Sequence, residues 1–576
     1  MQNYEVNNIS IATLLSNIDE GLIAIPEIQR PFVWKPSQVR DLIDSLYKGY
    51  PIGYIITWKN ADTRLKDGSI SEGKKIIIDG QQRITALSAS LIGRKIINNK
   101  YRHLNIKIAF NPIQQKFEVA NSAISKSEEW IEDISILFSP EFSDFKFVNE
   151  YANKNNENPE MIFRRIKQLT SIITSSVGVI DLPSNINIDV VTEIFVRINS
   201  KGVQLSQADF AMSRIAANSN YGGSEMRKTI DYFCHLLRRP QDFDNIREND
   251  YTFTNSDYFN RISWIKDKRS VFQPNYKDMI RIIFGYKFKR GRLRDFVALL
   301  SGRNFEKRTY EEDIVESSFE SLKQGILDFT NQHNFNTYLN RLANIGMIRP
   351  NFIQSDNVLN FGYLLFLYLK EKGIDSRVRD KCVERWLILT LLTNRYSSSP
   401  ESTFQTDITN FVEASDPREY IEKVEASDLS DTFWNVGFIN RLSTSHTPTF
   451  YIFIMSQITE DNRGFLSSEK VETMMRNTGD IHHIFPKAYL QDYGYSQSQY
   501  NQIANYAMVN KETNIKIGKK PPQDYLKEFE DLDKNYQDNA IPNNLEFMNV
   551  NNYDDFLSER RKMISKKIRK YYESFK

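Results

Sequence analysis

Cysteine is nearly absent from this chain, with 2 in 576 residues, Cys234 and Cys382. That excludes a disulfide framework and any cysteine-rich zinc site. Histidine is scarce as well, with 6. No charge of one sign dominates: 75 basic residues face 73 acidic ones, a formal net charge of +2. Any surface for a polyanion must therefore be local rather than global. No run approaches the ~18 consecutive apolar residues of a membrane span. The opening MQNYEVNNIS has neither the basic nor the apolar region of a signal peptide. There is no G-x-x-x-x-G-K-[ST] motif, so a P-loop NTPase is excluded. These absences lead to the expectation of a soluble, cytoplasmic protein with no membrane partner.

What is present is ordinary globular material, 40% hydrophobic and 12% aromatic. At roughly 150 residues per domain, the length suggests three or four domains. Residues 22–28 (LIAIPEI) and 52–58 (IGYIITW) read as strands. Between them Val39, Leu42, Ile43, Leu46 and Tyr47 recur at helical spacing, with Ser37 as the expected cap and Gly49 as the stop. KKIIIDGQQRITALSASL reads as a strand, an Asp79-Gly80 turn and a helix. Residues 112–170, polar and Asn-rich, read as an insertion or a mobile surface region. A helix is expected over about 188–198, then the loop NSKGVQL, then a helix whose Ser206 and Asp209 have capping-box-like spacing. From about 225 to 395 the pattern is mostly helical, RYSSSPESTFQTD looks like a loop, and the chain closes on a basic helix.

The stretch TGDIHHIFPKAYL sets His482 and His483 side by side. Asn505 follows His483 by 22 residues and Asn514 follows Asn505 by 9. Phosphodiester cleavage needs an activated water and neutralisation of charge on the phosphate. One neutral imidazole can be the base, and one divalent ion can neutralise the charge. Hard Mg²⁺ keeps several waters and needs few protein ligands. Arg560, Arg561, Lys562, Lys566, Lys567, Arg569 and Lys570 form a basic run that would suit phosphate contacts nearby, or else a solvated helix face.

These residues resemble the HNH, or His-Me finger, nucleases, built as a β-hairpin followed by a helix. The resemblance implies that His483 is the general base, that His482 and Asn514 bind the metal, and that Asn505 holds the loop carrying the base. His482 stands where Asp or Glu is more common, a softer ligand with which Mn²⁺ serves as well as Mg²⁺.

A second motif lies at residues 76–85, IIIDGQQRIT. A strand ending in a tight turn presents a helix N-terminus, suited to phosphate, and Arg83 adds a bidentate donor. Asp79 could orient a water or bind a metal carried by a nucleotide. IPEIQRPFVW supplies Gln29, Arg30 and Trp34, and IFVRINSKG supplies Arg197, Asn199 and Gly202. Three arginines beside turn glycines suggest a polyphosphate or a phosphodiester backbone. Arg30 and Arg197 have a plainer alternative, pairing with carboxylates to brace the domain, and Trp34 reads as core packing.

The three stretches in this order resemble the ParB/sulfiredoxin-like N-terminal domain of GmrSD-type restriction enzymes, shared by SspE-like phage-defence proteins. The resemblance spans about residues 10–215 and 395–560. It implies an α+β, multidomain chain. A ParB/sulfiredoxin-like α/β nucleotide-binding domain would occupy 1–225, a helical linker domain 226–395, and a largely helical domain carrying the ββα-metal motif 396–576. It further implies a metal-dependent HNH endonuclease with NTPase activity, restricting modified phage DNA. Asp79 and Arg83 would act on the nucleotide, GTP or ATP. Arg30, Gly80, Gln81, Gln82, Arg197 and Asn199 would hold it. The partners would be double-stranded DNA and nucleotide, with a homo-oligomer left open. Two other readings stay open: a DNA-modification sensor without nucleotide turnover, and a toxin-like nuclease acting on host nucleic acid.

Overall fold

The computed structural model describes residues 4–20, 22–24, 32–59, 75–97, 102–184, 186, 206–266, 268, 270–350, 352–477, 479–529 and 532–576. The chain divides into two compact units. The first comprises Met1–Tyr232, Gln241–Lys266 and Arg294–Glu320; the second comprises Phe233–Pro240, Asp267–Leu293 and Ser321–Lys576. The helical stretch 226–395 falls partly in each unit.

The first unit is built on a five-stranded mixed sheet. Its strands are β1 (Glu5–Ser10), β2 (Ile23–Ala24), β3 (Ile55–Lys59), β4 (Lys75–Asp79) and, after two small hairpins, β9 (Ser176–Leu182), in the order β1-β9-β3-β4-β2. The hairpins pair β5 (Ile96–Ile97) with β6 (His103–Leu104) and β7 (Ile108–Asn111) with β8 (Lys116–Val119). β3 runs parallel to β9 and antiparallel to β4, and buries four of its five residues, as a central strand rich in β-branched residues should.

Helix α1 (Ile11–Asp19) precedes β2, and α2 (Pro36–Tyr47) buries the expected stripe Val39, Leu42, Ile43, Leu46 and Tyr47. Ser37 does not cap α2. The helix begins one residue earlier at Pro36, whose fixed φ suits a first helical position, and the Gln38 side chain takes the Lys35 N–H at 2.9 Å. Gly49 ends it as expected, with φ +73°.

Residues 112–170 are neither peripheral nor unstructured. Helices α4 (Asp144–Asn155) and α5 (Pro159–Thr170) send Val148, Tyr151, Ile162, Ile166 and Leu169 into the same core as α1 and α2. The asparagines that suggested a loose region are helix punctuation: Asn156 adopts the left-handed conformation after α4, and Asn158 caps α5 through the Glu160 N–H at 2.8 Å. The Ser206–Asp209 capping box forms at the head of α6 (Gln207–Ala217), with Ser206 N–H on Asp209 Oδ2 at 2.6 Å. The helix expected at 188–198 and the loop after it lie outside the described residues, as do Gln29 and Arg30.

The second unit is mostly helical. Helices α7 (Asp356–Glu371) and α8 (Ser376–Thr393) carry the two long apolar segments and are buried nearly all round. No helix among the described residues is long and apolar enough to cross a membrane. The stretch read as a loop after Arg395 is one only briefly, because Pro400 opens a helix to Glu413. At the far end of this unit a separate core gathers Phe465, Ile484, Phe485, Tyr525, Tyr553 and Phe556, among others. That core carries the histidine pair.

Candidate functional site

Two strands, β10 (Gly479–His483) and β11 (Tyr506–Asn510), pair antiparallel, with His482 opposite Ala507 and His483 opposite Tyr506. Asn510 then caps helix α9 (Lys511–Ile517) by accepting from the Thr513 N–H at 2.8 Å. The result is a β-hairpin followed at once by a helix.

Adjacent residues on a strand face opposite ways, and the two histidines have separate neighbours. His482 is buried against α9, its Nδ1 2.8 Å from Asn514 Oδ1. The Phe465 ring lies nearly parallel to it at 6.3 Å, and Tyr525 stands edge-on at 6.2 Å. Its Nε2 is buried with no hydrogen-bond partner among the described residues. Burial pushes the His482 imidazolium down to a pKa of about 4, so the ring is neutral near pH 7. His483 is half-buried, with Nε2 2.9 Å from Asn501 Oδ1 and the Tyr506 ring edge-on at 5.0 Å. Burial lowers its pKa too, against the opposing pull of the Asn501 bond. An amide oxygen only accepts, so Nε2 carries the proton and the lone pair lies on Nδ1.

Asn505 touches neither histidine. It is fully buried and clamps the chain just past them. Its Oδ1 accepts from the Phe485 N–H at 2.9 Å, and its Nδ2 donates to the Phe485 and Tyr500 carbonyls, both at 3.1 Å. Tyr525 Oη donates to the Ile484 carbonyl at 2.6 Å. The Ile484–Phe485 and Phe485–Pro486 peptide units are thereby fixed. Asn501 and Tyr525 were not singled out from the sequence. Asn501 stands four residues before Asn505, outside the two spacings that drew attention.

Two protein donors converge, His482 and Asn514, and among the described residues no group of three or more His, Cys, Asp or Glu side chains could hold a metal. The 2.8 Å contact to an amide oxygen, which only accepts, puts the ring proton on His482 Nδ1, so the pair would hold a divalent ion only with that proton moved to Nε2; ligand bonds of ~2.1 Å would then set the two atoms ~3 Å apart. A neutral imidazole is also the form that ligates.

The basic run at the C-terminus does form a helix, α10 (Tyr553–Glu573). Its cations are largely engaged within the protein. Arg560 is fully buried, Lys567 pairs with Glu460, and Arg569 pairs with Asp431 and Glu573.

In the first unit, β4 ends at Asp79, Gly80 turns with φ +94°, and α3 (Gln81–Leu91) begins. Glycine suits that turn because a side chain at φ +94° is strained, and a Cβ there would also press on Ile55 Cδ1 at 2.4 Å. Asp79, Gly80, Gln81, Gln82 and Arg83 therefore sit together at one strand end. Arg83 turns inward, with Nη2 on Asp79 Oδ2 at 2.6 Å and Nη1 on the Ile52 carbonyl at 3.0 Å. Gln82 Oε1 accepts from the Val33 N–H at 3.1 Å. Trp34 packs against the core. Arg30, Arg197 and Asn199 lie outside the described residues.

Residues 11–216 match the family model described as the GmrSD restriction endonuclease, N-terminal domain. That region is similar to the N-terminal domain of GmrSD restriction endonucleases. The chain is also similar to an uncharacterized protein of Methanocaldococcus jannaschii, 21% identical over 566 residues, which cover 91% of this chain and 87% of that protein.

Proposed function

We propose that this chain is a DNA endonuclease of the restriction type, cutting at the His483 hairpin under control of its GmrSD-type N-terminal region. The observation that carries this reading is the meeting of His482 and Asn514 across the ββα hairpin, 2.8 Å apart, while His483 faces the other way on its own amide anchor.

His483 takes the proton from water at Nδ1, since Asn501 holds Nε2–H. A base so placed contributes about 10²- to 10⁴-fold. Asn505 fixes the Ile484–Phe485 peptide just past His483, and with it the angle at which the base meets the water. His482 and Asn514 would hold Mg²⁺ or Mn²⁺, which would supply charge neutralisation at the phosphate. The pronounced lowering of the His482 pKa keeps its ring neutral for that duty.

The substrate in this reading is modified phage DNA, in keeping with a family of restriction endonucleases. The Asp79–Arg83 turn binds a nucleotide, GTP or ATP, and its hydrolysis gates the nuclease. One observation favours a second reading for this turn. Arg83 is already engaged by Asp79 and the Ile52 carbonyl, which suits a rigid DNA-backbone sensor without turnover as well as a nucleotide site.

The test is a panel of plain, glucosylated hydroxymethylcytosine and phosphorothioated DNA, with Mg²⁺ or Mn²⁺ and with or without nucleotide. Cleavage of one modified substrate, with nucleotide hydrolysis lost in Arg83→Ala, supports the full proposal. Cleavage with no hydrolysis of any nucleotide moves the turn to the sensor reading. Equal cleavage of all three substrates contradicts the restriction reading.

A further inference from the structure

The stretch YDDFLSERRKMISKKIRKYY places Tyr553, Phe556, Leu557, Ile564, Ile568 and Tyr571 on one helical stripe. Arg560 falls on the same stripe, seven residues after Tyr553. A charged side chain in an apolar stripe should either snorkel to water or serve a purpose below the surface. Arg560 does not reach water, being 0% exposed.

Its partners are all backbone carbonyls. Nη1 donates to the Ala504 carbonyl at 2.7 Å, and Nη2 donates to those of Tyr506 at 2.7 Å and Asn539 at 3.2 Å. Among the described residues no carboxylate pairs with it, and its Nε has no partner. Burial lowers its pKa to about 9, which still leaves it charged near pH 7. A buried, uncompensated cation costs several kcal/mol, and a well-packed apolar side chain of similar volume would avoid that. Filling space does not account for it.

The two carbonyls held at 2.7 Å flank Asn505, the residue that clamps Phe485. Tyr506 is also the strand partner of His483, and its ring stands against that imidazole. The same helix contacts the segment at two more points: Tyr553 Oη donates to the Gln499 carbonyl at 3.0 Å, and Arg561 donates to the Gln502 side chain. Asn501, the anchor of His483, lies between those points. One helix face thus holds residues 499–506 along their length.

We propose that Arg560 is a positioning residue of the nuclease site: its planar fork fixes the backbone on both sides of Asn505, and through it the placement of His483. The inference rests on the nuclease reading of His483. A lysine could not substitute, because a single ammonium on a flexible stem cannot span two carbonyls as a rigid guanidinium does.

The experiment uses the full chain with Arg560→Lys, Arg560→Met and Arg560→Gly. Arg569→Met, on the same helix but pairing at the surface, is the control. Cleavage of DNA under Mg²⁺ should fall by about 100-fold in kcat in the Lys and Met variants with KM little changed, the size expected of an ~1 Å misplacement. Millimolar guanidinium should restore cleavage by Arg560→Gly and leave the wild type unaffected. Imidazole ¹⁵N spectra at one fixed pH should show the His483 resonances displaced in Arg560→Lys and unmoved in Arg569→Met.

Wild-type kcat in Arg560→Lys overturns the proposal, as does a rise in KM at constant kcat, which would make Arg560 a phosphate contact. Failure of Arg560→Met to fold leaves the lysine variant and guanidinium rescue to decide. Failure of the wild type to cleave DNA would strike the nuclease reading instead, and the spectra would still judge whether Arg560 places His483. Unmoved His483 resonances in Arg560→Lys would then overturn the inference.

Discussion

Replacing Asn505 by alanine should unlock the loop that carries His483. The side chain makes three hydrogen bonds, one from the Phe485 N–H and two to the carbonyls of Phe485 and Tyr500, all buried. Each contributes about 1 kcal/mol net, and a buried group left without its partner loses more, so the local penalty is about 3 kcal/mol or above. Alanine offers neither donor nor acceptor, and the site is too enclosed for solvent to replace both freely. At 1.36 kcal/mol per decade, about 3 kcal/mol corresponds to a loss of roughly two orders of magnitude in protection of the Phe485 amide. Hydrogen exchange resolved to that amide is the assay, with amides of α2 as an internal standard. Cleavage should fall alongside it, because the base is no longer aimed. Asn505→Asp should be worse, because it sets a carboxylate oxygen against two carbonyls. Unchanged protection of Phe485 in Asn505→Ala would refute the clamp, and retained protection with lost cleavage would give Asn505 a different, direct role.

Other expectations follow from the same contacts. Gly80→Ala should destabilise the first unit by about 1–3 kcal/mol, because φ is +94° and the new Cβ meets Ile55; a lowered urea midpoint for that unit is the readout. Asp181 is buried; its pKa, which burial alone would raise, is lowered by Lys75 at 2.8 Å together with Thr57 and Asn7. A depressed carboxylate stabilises above its ordinary value near 4, and that contribution is lost as pH falls through its folded value; Asp181→Asn should therefore flatten the acid limb of the stability curve, and an unchanged limb would contradict this. His482→Ala should weaken Mn²⁺ binding in calorimetry at least tenfold, the scale expected on losing one of two protein ligands.

Much of the candidate site was legible in the sequence because it is local. The Asp79-Gly80 turn, the α2 stripe and the Ser206–Asp209 box follow from periodicity, capping and turn chemistry within short windows, and the hairpin-then-helix at 479–517 is what the resemblance to HNH nucleases implies. Errors arose where tertiary contacts override composition. The Asn-rich run near 155 is two helix ends back to back, not a loose insertion, because asparagine serves caps as readily as loops. Arg395–Asp407 looked like a loop, yet Pro400 begins a helix. The C-terminal basic run was read as a single surface, but the stripe containing Arg560 shows that one of its cations lies in the core. Asn501 was invisible to spacing, since it reaches His483 only once the loop between β10 and β11 has folded back.

The central claim is that His483 is the base of a DNA nuclease. The direct measurement is single-turnover cleavage of duplex DNA under Mg²⁺ by the wild type and by His483→Ala, at matched fold and matched DNA affinity. The account expects cleavage by the wild type and a loss of at least ~10²-fold in the variant, with binding intact. Equal rates for the two proteins would contradict it.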